Sequence, residues 1–142
     1  MITLTETITS PKPRAEVFTY VADFSTVAEW DPGIQSSTRT SGDGGVGTVY
    51  AVEATFAGRV VPMTYEVTGF EPGHRIVLRG IGDAVEAIDT ITFADHGEAT
   101  RVVYSAEFTL KGFMRFLELP MRPLFTRLGK KAIGGLREAL GG

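Results

Sequence analysis

The chain has no cysteine, which excludes disulfides, thiolate metal sites and a cysteine nucleophile and is compatible with a reducing compartment. Histidine is nearly as scarce. His74 and His96 both fall in predicted turns at one end of the domain, so neither a histidine metal cluster nor a Ser-His pair is available, and no metal or other cofactor is expected. No apolar run approaches the ~20 residues needed to cross a bilayer. The start, Met1-Ile2-Thr3-Leu4-Thr5, lacks the basic residues and apolar core of a signal peptide, so a cytosolic protein is expected. The glycine run from Gly42 to Gly47 is not followed by Lys-Ser or Lys-Thr and joins two strands, which makes it a hairpin loop rather than a phosphate cradle. Nucleic acid is not an expected partner, because the net charge is -3 and nothing resembles a groove-reading helix or a base-stacking platform.

What is present is an ordinary globular composition, 43% apolar and 22% charged, in a length of 142 residues that suits one domain spanning 1-142. The charge is unevenly spread. Lys111, Arg115, Arg122, Arg127, Lys130, Lys131 and Arg137 are opposed in their stretch only by Glu118 and Glu138, leaving a basic end on an acidic body. Two readings of that end stand side by side: the solvated face of a closing helix, or a surface for peripheral contact with an anionic membrane.

Ile2, Leu4 and Ile8 alternate with threonines, the period of two of a first strand, which Ser10-Pro11-Lys12-Pro13 stops. Val17, Phe18, Val21 and Ala22 then recur at helical spacing, and a second helical turn runs from Ser25 to Trp30 before Asp31-Pro32-Gly33 ends it. Six further strands follow between turn signals: Ile34 to Ser41, Thr48 to Phe56, Arg59 to Phe70, Arg75 to Arg79, Ala84 to Ala94 and Thr100 to Leu110. Short turns between consecutive strands favour an antiparallel meander. Leu117, Met121, Leu124, Phe125, Leu128, Ala132, Ile133, Leu136 and Leu140 form the apolar stripe of a long closing helix. Pro120 and Pro123 predict a short helical turn first and the long helix from about that point, and Gly134 and Gly135 would let its backbone approach the sheet. One helix is narrower than a sheet of that size, so the arrangement predicts an interior hollow.

The stretch from Pro13 to Phe24, followed by Glu29-Trp30-Asp31-Pro32-Gly33, resembles the amino-terminal signature of the START and Bet v 1-like superfamily, closest to its bacterial polyketide cyclase/dehydrase and lipid-transport group. Further similarity lies in Tyr65-Glu66-Val67 before Glu71-Pro72-Gly73, in Asp89 to Phe93, in Ala99 to Val102 and in Leu136 to Leu140. The resemblance covers essentially the whole chain. It implies an α+β helix-grip fold, a seven-stranded curved antiparallel sheet wrapped around the long carboxy-terminal helix, with two short helices between strands 1 and 2. Members include aromatic polyketide cyclases, sterol and lipid carriers, plant hormone receptors and chaperone activators, so fold does not choose the activity. The family position matching Trp30 is mainly a packing residue.

Strand parity supplies the interior. Tyr50, Val52, Ala54 and Phe56 share a face, as do Arg59, Val61, Met63, Tyr65 and Val67 on the next strand. Asp89 and Ile91 face inward from the sixth strand, and Tyr104, Ala106, Phe108 and Leu110 from the seventh. The surface is apolar and aromatic with a few polar groups, which suits a mostly apolar small molecule oriented by hydrogen bonds. The tyrosines also suit a solid core whose hydroxyls reach backbone. Asp89 is the sharpest residue: buried and unpaired, its pKa rises and it becomes a candidate catalytic acid or base, whereas a salt bridge to Arg59 or Arg79, or a bulge that turns it outward, would make it structural.

Helix-grip topology would gather the Ala57-Gly58 turn, the Gly80 to Asp83 turn and the Leu110 to Phe116 junction at one mouth, rimmed by Phe113, Met114, Phe116 and Leu117, with Arg59 or Arg115 placed for an anionic group. The candidate ligand contacts are therefore Trp30, Tyr50, Arg59, Met63, Tyr65, Asp89, Ile91, Tyr104, Phe108, Phe113, Leu117 and Met121. The leading expectation is a binding protein for a small hydrophobic molecule such as a lipid, isoprenoid or polyketide, as monomer or homodimer. The alternatives are a polyketide cyclase/dehydrase acting in the same cavity and a module that engages a protein or membrane through its basic helix.

Overall fold

A computed structural model describes residues 1–141. The element order is β1 (Ile2–Ser10), α1 (Arg14–Ala22), a 3-10 turn (Phe24–Thr26), α2 (Val27–Trp30), β2 (Ile34–Ser41), β3 (Val49–Phe56), β4 (Arg59–Glu71), β5 (Arg75–Ile81), β6 (Val85–His96), β7 (Ala99–Leu110), a second 3-10 segment (Gly112–Leu117) and α3 (Glu118–Ala139). All seven strands join one antiparallel sheet in the order β1-β7-β6-β5-β4-β3-β2. Consecutive strands pair through short turns from β2 to β7, and β1 closes the series beside β7, with Leu4 opposite Ala106. Register shifts between Ile34 and Ser36, Arg39 and Ser41, and Val67 and Gly69 add bends of the kind that curl a sheet around a helix.

This is the α+β helix-grip arrangement that the sequence resemblance implies. Two local readings change, at Gly80 and at Gly135. Gly80, expected in a turn, lies within β5, opposite both Tyr65 of β4 and Ala87 of β6. The short helical turn expected ahead of the long helix is the 3-10 segment Gly112–Leu117, and α3 starts at Glu118, two residues before Pro120. Pro120 is its third residue, where a missing N–H costs nothing, while Pro123 lies inside the helix and forfeits one intrahelical bond.

The end of the sheet away from the α3 start is filled solid. Phe18 of α1 packs edge-on against Phe93 at 5.0 Å and Phe70 at 5.6 Å. Ile8, Ile76, Ile91, Val102 and Leu136 complete that core, each with no exposed surface. The Ser10 hydroxyl donates to the Leu140 carbonyl at 2.6 Å and ties the end of α3 to the end of β1. Gly135 does not meet the sheet as expected. A β-carbon there would overlap the Trp30 carbonyl, so its bareness docks α3 on α2; the tight approach to the sheet comes instead at Gly129, beneath Leu4 of β1.

Candidate functional site

With α1 plugging one end and α3 spanning the concave face, a cavity of about 250 Å³ remains between α3, α2 and the sheet. Alternation in β3, β4, β6 and β7 sends Ala54 and Phe56, Val61, Met63 and Tyr65, Val85 and Asp89, and Tyr104, Ala106, Phe108 and Leu110 to its wall. From α3 come Met121, Phe125, Leu128 and Ile133. Phe125 stacks against Phe108 at 5.0 Å and Phe56 at 5.3 Å, and with Met114 and Met121 it forms the apolar end of the chamber near the 57–58 hairpin.

Polar groups gather at the inner end. The Tyr104 hydroxyl donates to Asp89 Oδ2 at 2.5 Å, and Tyr104's ring lies edge-on to Trp30, centroids 6.1 Å apart. The Tyr65 ring lies across Gly80, whose lack of a side chain leaves it room. Asp31 follows α2, and its Oδ1 accepts the Gly33 N–H at 2.8 Å in a local turn that holds the carboxyl at the cavity wall. Burial raises the Asp89 pKa to about 6; Tyr104's hydrogen bond opposes the rise and the nearby Asp31 charge adds to it. Asp31 is likewise pushed up to about 6 by burial, against the pull of the Gly33 N–H. Tyr65 and Tyr104 are held well above the usual phenol range, first by burial and then by the Asp89 charge. Two carboxyls poised near neutrality and two phenols that stay protonated can accept and donate protons or fix a ligand's polar end.

Of the candidate contacts, Trp30, Met63, Tyr65, Asp89, Tyr104, Phe108 and Met121 line this cavity. The other five do not. Tyr50 faces inward but is fully buried behind Phe24, whose ring meets it edge-on at 5.9 Å and takes the wall position itself. Ile91 belongs to the solid core beneath α1. Arg59 opens β4 at the tip of the hairpin, outside the chamber, and is exposed. Phe113 is 77% exposed and Leu117 is half-buried outside the chamber, because the 3-10 segment turns them away; Met114 is the rim residue that reaches the wall. The suggested salt bridges of Asp89 do not form, since Arg79 pairs with Glu86 at 3.4 Å and the Asp89 partner is Tyr104. Asp31 and Phe24 also line the cavity, although in the sequence Asp31 reads only as part of a turn and Phe24 only as the end of the stretch that carries the family resemblance.

A family model described as polyketide cyclase / dehydrase and lipid transport matches residues 1–141. The chain belongs to this family. This polyketide cyclase/dehydrase and lipid-transport domain is similar to solved structures at low identity, a likeness that shows the START/Bet v 1-like fold. The START superfamily protein from Mycobacterium smegmatis aligns with a TM-score of 0.82 at 12% identity, covering 98% of this chain and 97% of that one. The Zhui aromatase/cyclase from Streptomyces sp. R1128 gives 0.79 at 15% identity over 97% and 90%, and Ara h 8.0201 gives 0.63 at 21% over 94% and 96%. No curated protein sequence matches the chain. Among the described residues no helix is long and apolar enough to cross a membrane.

Proposed function

We propose that this domain is a cytosolic binding protein that encloses one small hydrophobic molecule, of lipid, isoprenoid or polyketide character, between its sheet and α3. The observation that carries the reading is the chamber itself: about 250 Å³ walled mainly by apolar side chains with polar groups at one end. Area removed from water supplies affinity at roughly 25 cal/mol per Å², and the few polar groups select orientation. Native mass spectrometry of the purified protein, followed by extraction, should reveal a single apolar adduct or take up the neutral dye Nile red at one per chain. The cavity-filling variant Ala106→Leu should lose that uptake; dye binding unchanged by the substitution would place it elsewhere and sink the reading.

A second reading rests on the proton-handling pair. In a cyclase, Asp89 would take the proton from a carbon between two carbonyls and Tyr65 would donate to the carbonyl oxygen, while the dry chamber holds the reacting carbons together. Asp89→Asn should then abolish turnover of a poly-β-keto substrate and leave its binding intact. Parallel loss of both assigns Asp89 to binding alone.

The outer surface supports a delivery role. Phe113, Phe116 and Leu119 are exposed beside the chamber's apolar end, with the Arg115 guanidinium 5.0 Å over the Phe116 ring. Arg122, Arg127, Lys130 and Lys131 line a shallow groove along the same helix. Aromatic side chains flanked by cations match the interface of an anionic bilayer. Binding to phosphatidylserine vesicles should weaken with salt and with Phe113→Ser plus Phe116→Ser; salt-independent or absent binding removes the membrane role.

A further inference from the structure

The chemistry at the inner end of the chamber narrows the ligand. This inference rests on the binding reading above and concerns which polar group the enclosed molecule carries. Four acidic or phenolic side chains converge there: Asp31 from the end of α2, Asp89 from β6, Tyr65 from β4 and Tyr104 from β7. Their hydrogen-bond capacity is not used up internally. Tyr104 occupies only Oδ2 of Asp89, and Gly33 occupies only Oδ1 of Asp31, so each carboxyl keeps an oxygen with no partner among the described residues. The Tyr65 hydroxyl likewise makes no hydrogen bond among the described residues, although the residue is only 7% exposed and lines the cavity.

Buried groups left in that condition carry a desolvation cost that a ligand of the right polarity removes. The charged residues at the wall also have a sign. Glu6 of β1, Asp31 and Asp89 are carboxyls, and the single cation among them, Lys130 of α3, is exposed to solvent. A carboxylate brought to this end would stand against carboxyls of its own charge with no buried cation to meet it. Turned the other way, with its charge at the mouth, it would press an alkyl tail on the two carboxyls and leave them unpaired. A hydroxyl donates to a free carboxyl oxygen and accepts from Tyr65. An ammonium makes charge-assisted bonds to the same oxygens.

We propose that the chamber selects apolar molecules whose polar end is a neutral or cationic hydrogen-bond donor, an alcohol or an amine, and discriminates against free fatty acids and other carboxylates. The raised pKa values of Asp31 and Asp89 agree with this, since burial with no cation beside either carboxyl leaves both to gain from a donor.

The test is displacement of Nile red from the delipidated full chain, near neutral pH, by three ligands of one chain length: decanol, decylamine and sodium decanoate. Decanol and decylamine should each compete about tenfold or more tightly than decanoate, the scale of one or two hydrogen bonds gained against one like-charge contact. In the double variant Asp31→Asn with Asp89→Asn the preference should collapse, with decylamine losing most and decanoate gaining. Decanoate competing as well as the others in the native chain, or selectivity unchanged in the double variant, overturns the inference and leaves enclosure of an apolar guest standing. So does Nile red that binds and is displaced by none of the three. Failure of Nile red to bind at all sinks both.

Discussion

Asp89 shows how a residue can weaken the fold it belongs to. The residue is 6% exposed, and its folded-state pKa of about 6 lies above the ordinary value of 3.8. Below about pH 4 the group is neutral whether the chain is folded or not, and the penalty is absent. As pH rises from about 4 to about 6 the unfolded chain ionises first, so stability falls through that window and is lowest above it. That rise in pKa corresponds to about 3 kcal/mol. Asp89→Asn keeps an oxygen for the Tyr104 hydroxyl and removes the charge, so it should melt several degrees higher than the native chain near neutral pH. That gain should vanish towards pH 4, as followed by circular dichroism across the range. Asp31 acts in the same direction, so the variant retains part of the slope. A gain independent of pH would mean that burial does not shift this carboxyl. Asp89 was legible from alternation in β6, because a strand face is fixed by parity. Asp31 was not. It follows a single helical turn and looks like punctuation before Pro32-Gly33; only the docking of α2 under α3 places it at a wall, and nothing periodic in the sequence encodes that contact.

At the scale of elements, strands were readable almost to their ends because threonine and valine alternate between Gly and Pro stops, whereas close approaches between helices were not. The sequence marks Gly134 and Gly135 as equivalent, but their surroundings differ. No atom lies within 4 Å of a β-carbon built at Gly134, while one at Gly135 overlaps the Trp30 backbone. Gly134→Ala should therefore stabilise the domain by up to about 1 kcal/mol through helix propensity. Gly135→Ala should destabilise it by about 2 kcal/mol through overpacking. Because Trp30 is the only tryptophan, its emission should shift in the second variant and not in the first; matching behaviour would mean that α3 does not ride on α2. The β3–β4 hairpin offers a separate case. Ala57 has φ 51° and Gly58 φ 77°, so a two-residue turn with both positions left-handed carries an alanine where asparagine fits better. Ala57→Asn should raise stability by about 1 kcal/mol, read from the denaturation midpoint, and leave ligand uptake unchanged, since the side chain is exposed at the hairpin tip.

For the whole molecule, the hollow follows from a mismatch of widths: a seven-stranded sheet under one helix, with α1 filling only one end. That much could be read from element order, and the family resemblance agreed. Which aromatics would fill space and which would line it could not be read, since Tyr50 and Tyr65 share a face and differ only in that Phe24 covers one of them. A domain that keeps about 250 Å³ unfilled forgoes packing that its own side chains could provide. Ala106 is the place to test this, because it is 8% exposed, lines the chamber and sits opposite Asp89 in one register and Leu4 in the other. Ala106→Leu adds three carbons at roughly 0.8 kcal/mol each, reduced by any strain, so the empty protein should gain about 1 to 2 kcal/mol. The same substitution occupies the space a guest needs. Native protein saturated with a ligand should rise in melting temperature with ligand concentration, and the variant should start higher and not respond. A variant that loses stability without ligand would show that the chamber is already packed to its limit, and that its volume has no bearing on what the domain holds.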